Sequence, residues 1–305
     1  MRLLASFVMR GRSQAVMAIS IIALLSVLFP PLAVLSSAGV ALVTLRIGIQ
    51  DGIVVALLSA ATCALLAMLV QVNPVAVIAT TLLLWVPVWG LASTLRTSRS
   101  LAYAAMLALL FGVLLIGFHY VQFSDPAAQW LKVLEPMLEK FSQAQGLEAD
   151  QKKLVLLAMS KWMTGMVAAG FFLQLMASLL LGRWWQSLLY NPGGFRDEFH
   201  QLRLPRPLAL LAIAVVALLS VGASFGRPLL DYIAMLLIMA YLLQGLALAH
   251  GIRAKLEANH GWLVGMYILL IFGMHYVVLM LATVGVFDAF VDFRARVNKN
   301  AGGTS

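Results

Sequence analysis

Lys161 is the first residue that asks for a reason. It lies within an otherwise apolar run, residues 154–182. A full charge at the centre of a bilayer costs about 2.5–3.5 kcal/mol on insertion scales. Other polar side chains interrupt comparable runs: His119 with Tyr120, Asp231 with Tyr232, and His275 with Tyr276. An ammonium can hold an anionic group, imidazoles can donate hydrogen bonds, a carboxylate can pair with a cation, and tyrosine rings can stack on a ligand. Plainer roles exist for the same residues. Lys161 can snorkel to the headgroups along its aliphatic stem. Asp231 can cap a helix and pair with Arg227, and each histidine can make one hydrogen bond between helices.

Other chemistry finds little support. No two histidines are four residues apart, and the single cysteine, Cys63, lies inside an apolar run. That leaves no disulfide and no recognisable metal site. There is no phosphate-binding loop, no dinucleotide fingerprint and no nucleophile elbow. The sequence therefore points away from an enzyme, and it implies neither a metal nor a cofactor. Any ATPase that energises the protein is another chain.

The elements that position these residues are membrane helices. The chain has 305 residues, 62% hydrophobic and only 11% charged, with a mean hydropathy of +0.96. A soluble domain carries roughly 25% charged residues, so lipid is the solvent here. The apolar runs are long and do not alternate with period two, which excludes a barrel. The net charge of +9 resides mostly in arginines and lysines between the apolar runs. That is the positive-inside pattern, with lipid headgroups rather than nucleic acid as the partner.

The fold class expected is an all-α polytopic membrane bundle, one transmembrane domain over residues 1–305. It has eight or nine transmembrane segments and one amphipathic outer helix. The apolar segments are 14–29, 32–45, 52–70, 74–93, 101–123, 154–182, 208–225, 229–251 and 262–286. Pro30-Pro31 and Asn73-Pro74 mark turns, and Asn191-Pro-Gly-Gly194 marks the connector 184–207. Within 124–153, Trp130, Leu131, Leu134, Met137 and Leu138 recur at three- and four-residue spacing, the signature of an amphipathic helix. Ser36-Ser37-Ala38 resembles a signal cleavage site, but apolar sequence continues past it, so the first helix reads as uncleaved.

Parity gathers the N-terminus, Arg46, Arg96, Arg99, the 184–207 connector, Arg253 and Lys255 on one side. That side is cytoplasmic by the positive-inside rule, and 124–153 is then outside. Nine crossings place the basic tail, 289–305, outside, and eight place it inside. With this topology Lys161, His119, Tyr120, Asp231, His275 and Tyr276 converge in the outer half as a pocket for a small anionic ligand. Trp184, Trp185, Arg196, His200 and Arg203 on the connector offer a surface for a membrane protein partner. Small residues spaced by four, such as Gly165/Ala169 and Gly245/Ala249, let helices approach closely in lipid.

Four stretches carry a family resemblance. They are Pro31–Ala38 with Leu45-Arg46-Ile-Gly48, Asn191–His200 with Leu202-Arg-Leu-Pro205, Gln244-Gly-Leu-Ala with His250-Gly251, and Gly285-Val-Phe-Asp288 with Asp292-Phe-Arg294. Together they resemble the YybS-like family of uncharacterised bacterial inner-membrane proteins. The Arg46/Gly48/Gly52 junction and the small-residue helix after it are similar to the early part of the substrate-binding S components of energy-coupling-factor transporters. The resemblance implies a transport-type protein of the inner membrane. The alternative is a membrane scaffold that recruits cell-envelope proteins through the connector and binds no small molecule.

Overall fold

In the computed structural model, residues 1–145, 149–222 and 228–297 are described. Arg227, the expected partner of Asp231, lies outside them, as do residues 146–148 of the insert and the tail from 298. Every regular element among the described residues is a helix. The first five are α1 (Arg2–Val8), α2 (Arg12–Leu25), α3 (Leu32–Arg46), α4 (Ile49–Leu69) and α5 (Pro74–Ser98). Then come α6 (Leu101–Gln122), α7 (Pro126–Gln145), α8 (Ala149–Tyr190) and α9 (Gly194–His200). The last are α10 (Arg206–Ser220), α11 (Leu229–Lys255), α12 (Gly261–Phe272), α13 (Met274–Val291) and α14 (Phe293–Arg296).

Six of these helices are long and apolar enough to cross a membrane: α4, α5, α6, the 153–190 part of α8, α11 and α13. Four more apolar helices, α2, α3, α10 and α12, are shorter. They have 12 to 15 residues, roughly 18–23 Å at 1.5 Å per residue, against a hydrocarbon core of about 30 Å.

Two compact units make up the chain. The first contains Met1–Ala108 and Leu173–Arg203, and the second contains Leu109–Phe172 and the chain from Leu204 onward. Helices α6 and α8 contribute to both.

The first unit is built around α3. Every residue from Ser36 to Leu45 is buried, which is what a helix apolar on all sides requires. Close neighbours need small residues. A Cβ on Gly182 of α8 would come within 2.7 Å of the Ala41 Cβ, and one on Gly52 of α4 would collide with the Thr44 side chain. Turn chemistry sets the helix ends. Asn73 caps α5, its Oδ1 accepting from the amides of Val75 and Ala76 at 3.0 and 3.4 Å, with Pro74 at the first helical position. Basic residues gather at the opposite end. Arg12 pairs with Asp51, Arg96 donates to the Leu45 carbonyl at the end of α3, and the Arg46 guanidinium lies 4.1 Å over the Tyr190 ring.

The second unit is built around α11, buried along most of its length. It meets α13 through two glycines. A Cβ on Gly245 would strike the Leu281 carbonyl, and one on Gly285 would strike the Tyr241 carbonyl. The fully buried Gln244 fixes this crossing. Its Oε1 accepts from the Leu204 amide at 2.8 Å, and its Nε2 donates to the Gly285 carbonyl at 2.9 Å and to Asp288 Oδ2 at 3.1 Å. Asp288, also fully buried, pairs with Arg294 at 3.4 Å.

Two elements differ from expectation. The segment expected as one helix over 262–286 is divided at Gly273 into α12 and α13, because glycine holds a helix about 1 kcal/mol less well than alanine. The lysine helix is longer than its apolar run. It is one helix of 42 residues, α8, since the polar stretch before Leu154 is also helical.

Candidate ligand site

The residues expected in the outer half fall into separate groups. His119 and Tyr120, on the last turn of α6, join Trp130 of α7, Thr164 of α8 and Tyr232 of α11. The His119 and Trp130 rings stack at 5.4 Å with 7° between their planes. The Trp130 indole donates to Thr164 Oγ1 at 2.9 Å. Tyr232 donates its hydroxyl to the Lys161 carbonyl at 2.7 Å, and the Tyr120 ring is 6.3 Å away. His119 Nδ1 is buried with no partner among the described residues.

The Lys161 side chain is exposed, so the cluster uses its backbone and not its charge. Asp231 is half-buried in the first turn of α11. His275 and Tyr276 are exposed and meet each other edge to face at 5.6 Å.

The connector residues divide as well. Trp185 is buried in the core of the first unit, while Trp184 is 37% exposed. Arg183 forms a two-bond pair with Glu198 that ties α9 to α8. Arg196 is exposed, and His200 and Arg203 are half-buried.

Two cavities lie away from these residues. The second unit has a cavity of about 410 Å³ among α10, α11 and α13. Its wall is aliphatic and aromatic apart from Tyr241 and Thr283, and it is bordered by exposed Val216 and Phe287. The first unit has a smaller cavity of about 260 Å³ among α2, α3, α4 and α5. Into its apolar wall are set Ser26, Ser36, Thr80, Thr81, Cys63 and Trp85. It lies at the end of the unit that carries the Pro30-Pro31 and Asn73-Pro74 turns, away from the arginines.

Each polar group in that wall already uses its hydrogen. Ser26 donates to the Ala23 carbonyl at 2.6 Å and Ser36 to the Ala33 carbonyl at 3.0 Å. Thr80 donates to the Ala76 carbonyl at 2.9 Å and Thr81 to the Val77 carbonyl at 2.7 Å. The Trp85 indole donates to Ser36 Oγ at 3.3 Å, and the Cys63 thiol points to the Ser20 carbonyl at 3.8 Å. A hydroxyl with its proton committed keeps lone pairs to accept with. The wall holds no imidazole or carboxylate beside Cys63, so nothing there activates the thiol as a nucleophile. Among the described residues no group of three or more His, Cys, Asp or Glu is placed to hold a metal.

The model of the family described as predicted membrane protein (DUF2232) matches residues 17–289. The chain belongs to this family. No curated protein and no solved structure matches it. In this DUF2232 chain both the hydroxyl-lined cavity and the Gln244–Asp288 network fall within the matched span.

Sequence reasoning missed the cavity residues. Serine and threonine in an apolar helix draw no attention, because each can satisfy its proton on its own preceding turn. The available signal was their placement beside the two proline turns, with Ser26 and Ser36 flanking Pro30-Pro31 and Thr80 and Thr81 following Asn73-Pro74.

Proposed function

We propose that this DUF2232 protein is a transport-type, multi-pass protein of the bacterial inner membrane, with its small-ligand pocket in the cavity of the first unit. The observation that carries the reading is the cavity itself: about 260 Å³ of space with four hydroxyls in its wall, near one end of a unit whose other end collects the arginines. Ligand sites are mostly apolar with a few placed polar groups, and that is the composition of this wall. The reading keeps eight or nine crossings, with the N-terminus and the arginine-rich end in the cytoplasm and the cavity in the outer half. It also suits the resemblance of the α3–α4 region, around Arg46, Gly48 and Gly52, to the early part of S components. Energy then comes from a separate ATP-hydrolysing chain.

The test is to purify the full chain in mild detergent and identify the small molecules released on denaturation. Ala33→Leu, which places extra carbons in the cavity wall, is the comparison. One compound enriched in the wild type and lost in Ala33→Leu supports the reading. Identical small-molecule profiles contradict it. They shift weight to the scaffold alternative, which rests on exposed Trp184 and Arg196 at the connector.

A further inference from the structure

We infer that the cavity of the first unit selects a compact, uncharged solute that donates hydrogen bonds through N–H or O–H groups, and that it rejects anions. The inference rests on the transport-type reading and names the ligand class of the same site. Size sets the first condition. The volume of about 260 Å³ lies below the roughly 300–1,000 Å³ of pockets for drug-sized ligands.

Hydrogen-bond accounting sets the second. The wall offers six groups that carry a donor hydrogen: the hydroxyls of Ser26, Ser36, Thr80 and Thr81, the Trp85 indole and the Cys63 thiol. Five of them are engaged as donors at 2.6–3.3 Å, and the thiol is directed at a carbonyl at 3.8 Å. What remains for a ligand is lone pairs, on Ser26 Oγ, Thr80 Oγ1 and Thr81 Oγ1 in particular. Lone pairs accept, so the complementary ligand must donate.

Charge sets the third. No Lys, Arg or His lines the cavity, so a carboxylate or phosphate would enter without a counter-charge or a free donor, a costly transfer. A cation would fare no better, because the wall carries no Asp or Glu. Arg12, Arg46 and Arg96 are engaged at the other end of this unit.

The experiment measures thermal shifts of the detergent-solubilised full chain with two probe pairs, each differing by one carboxylate: uracil against orotate, and glycerol against glycerate. Wild type, Ala33→Leu and Thr81→Val are compared. Thr81→Val removes an acceptor at nearly constant shape. We expect saturable stabilisation by at least one neutral member at tenfold or more lower concentration than its acid. We expect that response to vanish in Ala33→Leu and to weaken three- to tenfold in Thr81→Val. Preference for the acids, or a neutral response unchanged in Ala33→Leu, overturns the inference. So does the absence of any neutral response. A released compound that Ala33→Leu removes but that is ionised at neutral pH overturns the ligand class alone and leaves the transport-type reading standing. No compound lost in Ala33→Leu overturns both.

Discussion

Gln244 shows how one side chain can hold a membrane unit together. Its amide serves the Leu204 amide, the Gly285 carbonyl and Asp288 at once. Gln244→Leu would strand a backbone donor and take a hydrogen bond from a buried carboxylate. Each stranded group costs about 1–3 kcal/mol, so we expect a loss of about 3 kcal/mol, read as a lower Tm of the detergent-solubilised protein. An unchanged Tm would mean that the network is not formed. Lys161→Met belongs at the other extreme. The side chain is exposed, and its aliphatic stem lets the ammonium snorkel to the headgroups. Stability and ligand recovery should both be unchanged in this variant, and loss of the ligand would restore Lys161 to the site. At this scale a sequence advertises charge more readily than it advertises the lining of a cavity. A lone lysine in an apolar run is conspicuous, whereas Ser36 and Thr81 look ordinary because their protons are satisfied within their own helices. Gln244 was visible as a polar residue in an apolar helix, but its partners Leu204 and Asp288 are about 40 residues away in either direction, and only the packed helices bring them together.

Among the elements, α11 and α13 are joined by close backbone approach rather than by side chains. A methyl group on Gly285 would meet the Tyr241 carbonyl, whereas one on Gly170 of α8 would meet open space. Gly285→Ala should therefore destabilise by about 1–3 kcal/mol, as overpacking does. Gly170→Ala should be neutral or stabilising by up to about 1 kcal/mol through helix propensity. The ratio of folded to aggregated protein in size-exclusion chromatography compares them, and equal behaviour of the two variants would contradict this packing. Most helices were legible in the sequence, since Pro30-Pro31, Asn73-Pro74 and Asn191-Pro-Gly-Gly194 separate them by backbone chemistry. The division at Gly273 was not, because glycine is frequent inside transmembrane helices and gives no local warning. The importance of α3 was hidden too. It has only 15 residues, and its central place follows from burial on all sides, which periodicity cannot display.

For the whole molecule, the basic residues of the first unit gather at one end and the hydroxyl-lined cavity lies toward the other. Because Cys63 is the single cysteine, a Cys63→Ser background permits side-specific labelling. Ser13→Cys and Ser98→Cys should react only with reagent supplied from the cytoplasm, and Val72→Cys and Ser124→Cys only from outside. Val72→Cys and Ser98→Cys reacting from the same side would contradict the crossing of α5. The measurement that bears most directly on function is a cryo-electron microscopy structure of the full chain in lipid nanodiscs, prepared without added ligand. We expect compact non-protein density among Ser36, Thr81 and Trp85, absent in Ala33→Leu. A cavity filled by side chains or by continuous acyl-chain density in the wild type would contradict a small-molecule site in this protein.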